Sequence, residues 1–127
     1  MNEESKRYIR KAQRSLRASA ELLARGYFED SCSKSYYATF YAAQALLKES
    51  GINVVKHSAV ISKFGEKFVK TGEIDSHFHR HIIDAKQQRE IADYDVFLSI
   101  NRNTAEDRLN GAKAFLKEIK RHISQMK

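Results

Sequence analysis

The chain has 127 residues, of which 42% are hydrophobic and 31% charged, a balance that supports one folded core and excludes wholesale disorder. It has no proline to interrupt a helix, and its one cysteine, Cys32, excludes an intramolecular disulfide and suggests a reducing compartment. The net charge is +7, and no apolar run is long enough for a membrane span or a signal peptide. We therefore expect a single cytoplasmic domain over residues 1–127.

The positive charge is concentrated at the two ends of the chain. Residues 1–25 hold seven basic and three acidic side chains, residues 96–127 hold the same numbers, and residues 26–95 hold nine and ten. If the two end segments pack side by side, they form one positive surface for nucleic acid or an acidic partner. Otherwise they are solvated faces that favour solubility.

The first predicted helix covers residues 5–24 and ends at Gly26. Its apolar stripe follows steps of three and four residues through Tyr8, Ala12, Leu16, Ser19 and Leu23. A separate basic face carries Lys6, Arg10, Arg14 and Arg17.

The second predicted helix runs from about Asp30 to Ser50, with Asp30 or Ser31 as its N-cap and Gly51 followed by Ile52 as its C-terminal signal. Its aromatic residues are interleaved with alanines and cannot all point one way; they are Tyr36, Tyr37, Phe40 and Tyr41. The pattern predicts a helix covered on two sides, either at the centre of a bundle or in a dimer interface. The alternative to packing is that nucleic-acid bases stack on the tyrosine rings.

The third predicted segment covers Lys56 to Val69, with Ser58 as its cap and Gly72 as its stop. The fourth runs from Ile74 to about Leu98. Its stripe steps by three or four residues through Ile74, Phe78, Ile82, Ala85, Arg89, Ala92 and Val96. Arg89 therefore occupies a position where the pattern asks for an apolar side chain.

The last predicted helix begins at Asn103 or Thr104 and continues to about Gln125, with Thr104 and Asp107 in a variant of the capping box. A regular seam for packing follows through Ala105, Leu109, Ala112, Leu116, Ile119, Ile123 and Met126. Together the segments predict an all-α fold, an up-and-down bundle of about five helices.

Arg89 is the leading candidate for a functional residue because a guanidinium on an apolar stripe stays charged and must be paired or face a polar cavity. Asp93, four residues later on the same face, is its expected partner. The pair is either an internal salt bridge that fixes helix packing or an arginine presented to a phosphate.

Other candidate sites carry less weight. His77, His81 and Asp84 share a helix face, but no further ligand lies nearby except the distant His57, so we expect no metal site. No glycine-rich phosphate loop is present and no cofactor is expected. Cys32 is predicted to be a small buried residue rather than a nucleophile.

Three segments together resemble the small HEPN-domain proteins of archaea and bacteria. They are residues 33–47 (SKSYYATFYAAQALL), the pair His57-Ser58, and residues 89–95 (REIADYD). The resemblance spans roughly residues 5–122 and implies a helical bundle that usually dimerises. It also implies a minimal nucleotidyltransferase as partner in a toxin–antitoxin pair, and many members of the family are metal-independent ribonucleases.

The sequence departs from the ribonuclease members at one position. In those members, four to six residues separate the arginine from a histidine. In this chain, the positions at that distance from Arg89 hold Tyr94, Asp95 and Val96 instead. The near-neutral acid/base group needed to activate a ribose 2′-hydroxyl is thus missing, and a phenol is a poor base at neutral pH.

We therefore predict a dimeric, noncatalytic HEPN-like protein that pairs with a nucleotidyltransferase and binds nucleotide or RNA phosphate. The predicted binding residues are Arg89, Asp93, Tyr94, Arg10, Arg14 and Arg17. The alternative is a metal-independent endoribonuclease toxin that uses Arg89 with Tyr94 or Asp95. A third reading is a helical scaffold in which the Arg89–Asp93 pair is purely structural.

Overall fold

A computed structural model describes residues 1–96 and 99–126. It contains five α-helices: α1 (Glu3–Ala24), α2 (Phe28–Glu49), α3 (His57–Phe64), α4 (Ser76–Tyr94) and α5 (Arg102–Ser124). A π-helical segment, Gly65–Val69, continues α3. No strand occurs in the described residues, so the predicted all-α bundle is confirmed. Nor does any described helix combine the length and apolar content that crossing a bilayer requires.

The C-terminal end of α2 follows the sequence prediction. Gly51 has a φ of 75°, a left-handed conformation that glycine adopts without steric cost. The Ile52 N–H donates to the Leu47 carbonyl at 2.9 Å, and the Ile52 side chain packs against the core. This arrangement is the glycine cap with its hydrophobic contact that the Gly51-Ile52 pair predicts.

The predicted N-caps of α2 and α3 are wrong. Helix α2 begins at Phe28, and neither Asp30 nor Ser31 caps it because both lie inside its first turn. Ser31 is instead buried, and its hydroxyl donates to the Ser19 carbonyl of α1. Helix α3 begins at His57, with Lys56 in the N-cap position, so Ser58 lies inside the first turn and does not cap the helix.

The predicted capping box of α5 is also wrong. The side chain of Asn101 accepts a hydrogen bond from the Thr104 N–H at 2.9 Å, so α5 begins at Arg102. Asn101 thus satisfies the Thr104 N–H, the backbone donor that the Asp107 side chain would serve in a capping box.

At the end of α4, the helix stops at Tyr94, and the predicted boundary at Leu98 lies outside the described residues.

The core is organised around α2, which contacts each of the other four helices. Its alanines Ala38, Ala42, Ala43 and Ala45 are fully buried, and their small side chains allow neighbouring helices to approach closely. Tyr36 and Phe40 are buried, whereas Tyr37 and Tyr41 are half-buried against the same core. The aromatic residues of α2 therefore find cover largely within one chain, which confirms its central position.

Two glycines inside helical segments leave space for histidine rings. A Cβ added at Gly111 of α5 would collide with the His81 ring, and one at Gly65 would lie 2.6 Å from His79 Nε2. The His81 ring thus faces α5, and the His79 ring faces the π-helical segment that continues α3.

Candidate functional site

The apolar stripe of α4 leaves the core at Arg89. Ile82 and Ala85 are buried, the Arg89 side chain is 19% exposed, and Val96 is 87% exposed. Arg89 thus follows the last buried positions of the stripe, Ala92 packs against a second small cluster with Cys32 and Ile100, and Val96 lies just after the end of α4. Its aliphatic stem can pack against the core and its Nε is buried, so a ligand can reach only the remaining, exposed part of the Arg89 side chain.

The Arg89 guanidinium lies among three polar or aromatic groups. Its Nε is 2.8 Å from Asp93 Oδ2, which confirms the predicted ion pair. Its Nη2 donates to the Tyr37 hydroxyl of α2 at 2.9 Å. The Cζ atom lies 5.3 Å from the Tyr37 ring centroid and 5.9 Å from that of Tyr94, within reach of cation–π attraction.

A hydrogen bond ties the same site to α2 a second time. The Ser33 hydroxyl donates to Asp93 Oδ1 at 2.6 Å, so Asp93 contacts both Arg89 and α2. Tyr94 is 72% exposed at the end of α4, and Asp95 follows as the residue that caps it. Of the predicted site residues, Arg89, Asp93 and Tyr94 therefore lie together.

A tyrosine–histidine layer lies behind Arg89 and was not assigned to the site from sequence. His57 Nδ1 and the Tyr36 hydroxyl share a hydrogen bond at 2.7 Å, and the His57 ring stacks on Phe40 at 4.1 Å. Burial, with the nearby charges of Arg89 and Lys86, lowers the pKa of His57. Burial likewise raises the pKa of Tyr36. Both groups are thus uncharged at neutral pH, and the His57-Ser58 pair in the resemblance was the one available signal.

The predicted arginines of α1 follow one face of the continuous helix but line different pockets. Arg14 lines a pocket between α1 and α2, Arg17 lines a separate pocket, and Arg10 is exposed. Two further cations that sequence reasoning missed, Lys11 and Lys34, share the pocket of Arg14. Their meeting depends on the register between α1 and α2, for which the sequence pattern has no signal.

The histidine cluster of α4 does not converge on a common point. His77 Nδ1 is 2.6 Å from Asp75 Oδ1 at the surface, whereas His81 points inward, with its Nε2 3.4 Å from the Thr39 hydroxyl. Burial, more than the nearby Arg108, lowers the pKa of His81 to about 4. Within residues 1–96 and 99–126, no three His, Cys, Asp or Glu side chains form a group that could hold a metal ion.

Cys32 is 1% exposed, as predicted for a small buried residue. Burial raises the pKa of its thiol to about 11, against an opposing effect of the nearby Arg108. The thiol is therefore protonated at neutral pH and is a weak nucleophile. Arg108 is a second arginine with buried nitrogen atoms: its Nε and Nη1 have no hydrogen-bond partner in the part of the chain that the structure describes.

Comparison with known proteins adds a family and a fold. The model of the HEPN domain matches residues 5–122. A Methanocaldococcus jannaschii protein named "Putative toxin MJ0142" is 36% identical over 120 residues, which cover 94% of this chain and 82% of that protein.

Two crystal structures share the fold. TT1696 of Thermus thermophilus matches with a TM-score of 0.82 at 17% identity, over 96% of this chain and 99% of that one. ST0689, described as an archaeal HEPN homologue, matches with a TM-score of 0.74 at 21% identity, over 94% and 97% of the two chains.

Proposed function

This chain belongs to the HEPN family, and from that premise we propose that it is a dimeric, noncatalytic member that binds nucleotide or RNA phosphate through Arg89. One observation carries the proposal: a guanidinium at the edge of the core is held by Asp93 and Tyr37 beside the exposed ring of Tyr94. A phosphate can replace the carboxylate as the partner of Arg89, because both accept charge-assisted hydrogen bonds from a guanidinium.

Binding rather than cleavage is favoured by the chemistry next to Arg89. The positions after the arginine hold Tyr94, Asp95 and Val96 in place of a histidine. The nearest imidazole on α3, His57, stacks on Phe40 with its Nδ1 bonded to Tyr36, so its ring is held in the layer behind Arg89. A ribonuclease that uses Arg89 with Tyr94 or Asp95 is the alternative outcome of the test below.

The proposed partners are a second copy of the chain and a minimal nucleotidyltransferase, as in a toxin–antitoxin pair. The name of the archaeal relative supports the toxin-like role. The exposed Tyr94 at the end of α4 and the exposed Val96 just after it support a dimer contact beside Arg89. Sedimentation should show a dimer at micromolar concentration, and a purely monomeric chain would contradict that part of the proposal.

The variant Arg89→Met tests the binding site. It keeps the apolar stem and removes the charge, so we expect RNA affinity to fall by about tenfold or more while the denaturation midpoint stays near that of the wild type. Arg80→Met, which removes an exposed arginine from the same helix, is the matched control and should bind as the wild type does.

Three results would change the assignment. Equal binding by Arg89→Met and the wild type would remove Arg89 from the site. A collapse in stability that Asp93→Leu rescues would make the pair structural. RNA cleavage by the purified protein, lost in Arg89→Ala, would select the ribonuclease.

A further inference from the structure

A positively charged groove lies between α1 and α2, away from Arg89. Its cavity of about 270 Å³ is lined by Lys11, Arg14, Ser15, Ala18, Lys34 and Tyr41. Three of these side chains are cations contributed by two helices, and no carboxylate appears in the lining that the described residues provide. The small side chains of Ser15 and Ala18 leave room for a ligand between the cations.

An aromatic ring forms part of the same groove. The Lys11 ammonium lies 4.8 Å from the centroid of the half-buried Tyr41 ring. Cations beside an aromatic face are what single-stranded nucleic acid requires, because phosphates pair with the cations and bases stack on the ring. A purely acidic peptide would use the cations and leave the ring without a function.

The groove is continuous with the proposed Arg89 site through a row of tyrosines. The Tyr41 ring centroid is 6.2 Å from that of Tyr8 and 6.0 Å from that of Tyr37. Tyr37 in turn lies 5.3 Å from the Arg89 Cζ and accepts its hydrogen bond. One face formed by α1, α2 and α4 thus carries cations at both ends and tyrosine rings between them.

We infer that this face binds a segment of single-stranded nucleic acid several nucleotides long. Phosphates of the strand contact Lys11, Arg14 and Lys34, a base takes the place of the Lys11 ammonium over the Tyr41 ring, and the strand continues past Tyr37 to Arg89. The inference rests on the proposed function, because it takes phosphate binding at Arg89 and extends the ligand from one phosphate to a strand. A single nucleotide would engage one end of this face and leave the other end empty.

The salt dependence of binding tests the groove. The probe is a fluorescent RNA of about 12 nucleotides without self-complementarity, a length in the range that single-strand-binding folds cover. In Lys11→Gln/Lys34→Gln, the slope of log affinity against log salt should become shallower by about 1.4, since each phosphate contact on a single strand contributes roughly 0.7. The control Lys117→Gln/Lys120→Gln changes the same net charge on exposed positions of α5 and should keep the wild-type slope.

The role of the ring is tested separately. Tyr41→Leu should weaken RNA binding by about tenfold, which lies within the range measured for loss of one stacked base. Tyr41→Phe keeps the aromatic face and should bind within about twofold of the wild type. Circular dichroism melting identifies any variant that is not folded, and if Tyr41→Leu is one of them, the salt slope of the lysine variants decides whether the groove binds RNA.

The outcomes separate this inference from the proposed function. If Arg89→Met weakens binding while the lysine and Tyr41 variants bind as the wild type does, the groove is excluded and the Arg89 site stands. Competition by AMP as strong, mole for mole, as by the RNA would also exclude an extended strand. Equal displacement by a poly-glutamate peptide of the same length would make the face an acidic-peptide surface. No RNA binding by the wild type would overturn both proposals.

Discussion

The two halves of α4 lie on one helix and continue one periodic stripe, yet they have different environments. In the first half, Ile82 and Ala85 are buried and His81 is turned toward Thr39 and Gly111. In the second half, residues 86–94, no residue is fully buried, and Arg89 faces Asp93, Tyr37 and Tyr94. Periodicity therefore identifies which face of a helix turns toward its neighbours, but it does not say how deeply that face is covered.

The largest expected effect separates the two ends of the stripe. Ile82→Ala should lower the free energy of unfolding by about 2–5 kcal/mol, because it removes buried methyl groups and leaves a cavity. Val96→Ala, at a position that is 87% exposed, should change it by less than about 0.5 kcal/mol. Urea denaturation of both variants measures the difference, and similar losses would show that the chain just after α4 is covered in solution.

The buried half should also make stability depend on pH. The pKa of His81 falls from an ordinary value of 6.5 to about 4 in the folded chain, so the unfolded chain binds more protons between these values. Stability is then fully present above about pH 6.5 and declines as the pH falls toward 4. At about 1.4 kcal/mol for each pH unit, the loss amounts to roughly 3 kcal/mol.

The variant His81→Gln identifies the source of that pH dependence. Glutamine does not titrate, so stability in this variant should vary much less between pH 6.5 and 4, whatever its value at pH 7. The groups that act on His81 are Arg108 of α5 and, on its own helix, Asp84 and His77. Because the pKa of His57 is also lowered, a smaller decline in the same direction should remain. An unaltered decline would place the responsible group elsewhere.

A smaller effect is expected where the stripe meets solvent. The Arg89 and Asp93 side chains are 19% and 29% exposed, so a double-mutant cycle with Arg89→Met and Asp93→Leu should give a coupling of about 1 kcal/mol. The Lys86–Glu90 pair, at 3.0 Å with 34% and 48% exposure, is the control on the same helix and should couple by about 0.3–0.5 kcal/mol. A coupling of 3 kcal/mol or more would be typical of a fully buried pair and would favour the scaffold hypothesis.

Local sequence signals predicted those parts of the fold and site that depend on near neighbours. The spacing of Arg89 and Asp93 places them on adjacent turns whatever packs against them, and Gly51 ends α2 through its own backbone. Contacts between distant segments had no such signal. Arg89 and Tyr37 are 52 residues apart, and their hydrogen bond depends on how α2 and α4 pack.

The helix starts show the same limit on a smaller scale. Ser31 has the chemistry of a cap, but its hydroxyl is used by Ser19 of α1, a tertiary partner that a reading of the local sequence does not include. The cations Lys11 and Lys34 are likewise ordinary surface residues in sequence, and they become one pocket only when α1 packs on α2.

A small effect on stability is also expected at Tyr94, and it separates a functional ring from a structural one. The ring is 72% exposed with its centroid 5.9 Å from Arg89 Cζ, so Tyr94→Leu should change the free energy of unfolding by roughly 0.5 kcal/mol, near the lower limit for an exposed cation–π contact. If the ring lies against bound nucleic acid beside Arg89, the same variant should weaken RNA binding several-fold. Tyr94→Phe keeps the aromatic face and should bind as the wild type does, because stacking uses the ring and not the hydroxyl. Denaturation and RNA titration on the same three proteins test this directly: a loss of binding in Tyr94→Phe as large as in Tyr94→Leu would assign the contribution to the hydroxyl. Unchanged binding in both variants would show that the Tyr94 ring does not contribute to nucleic-acid binding beside Arg89.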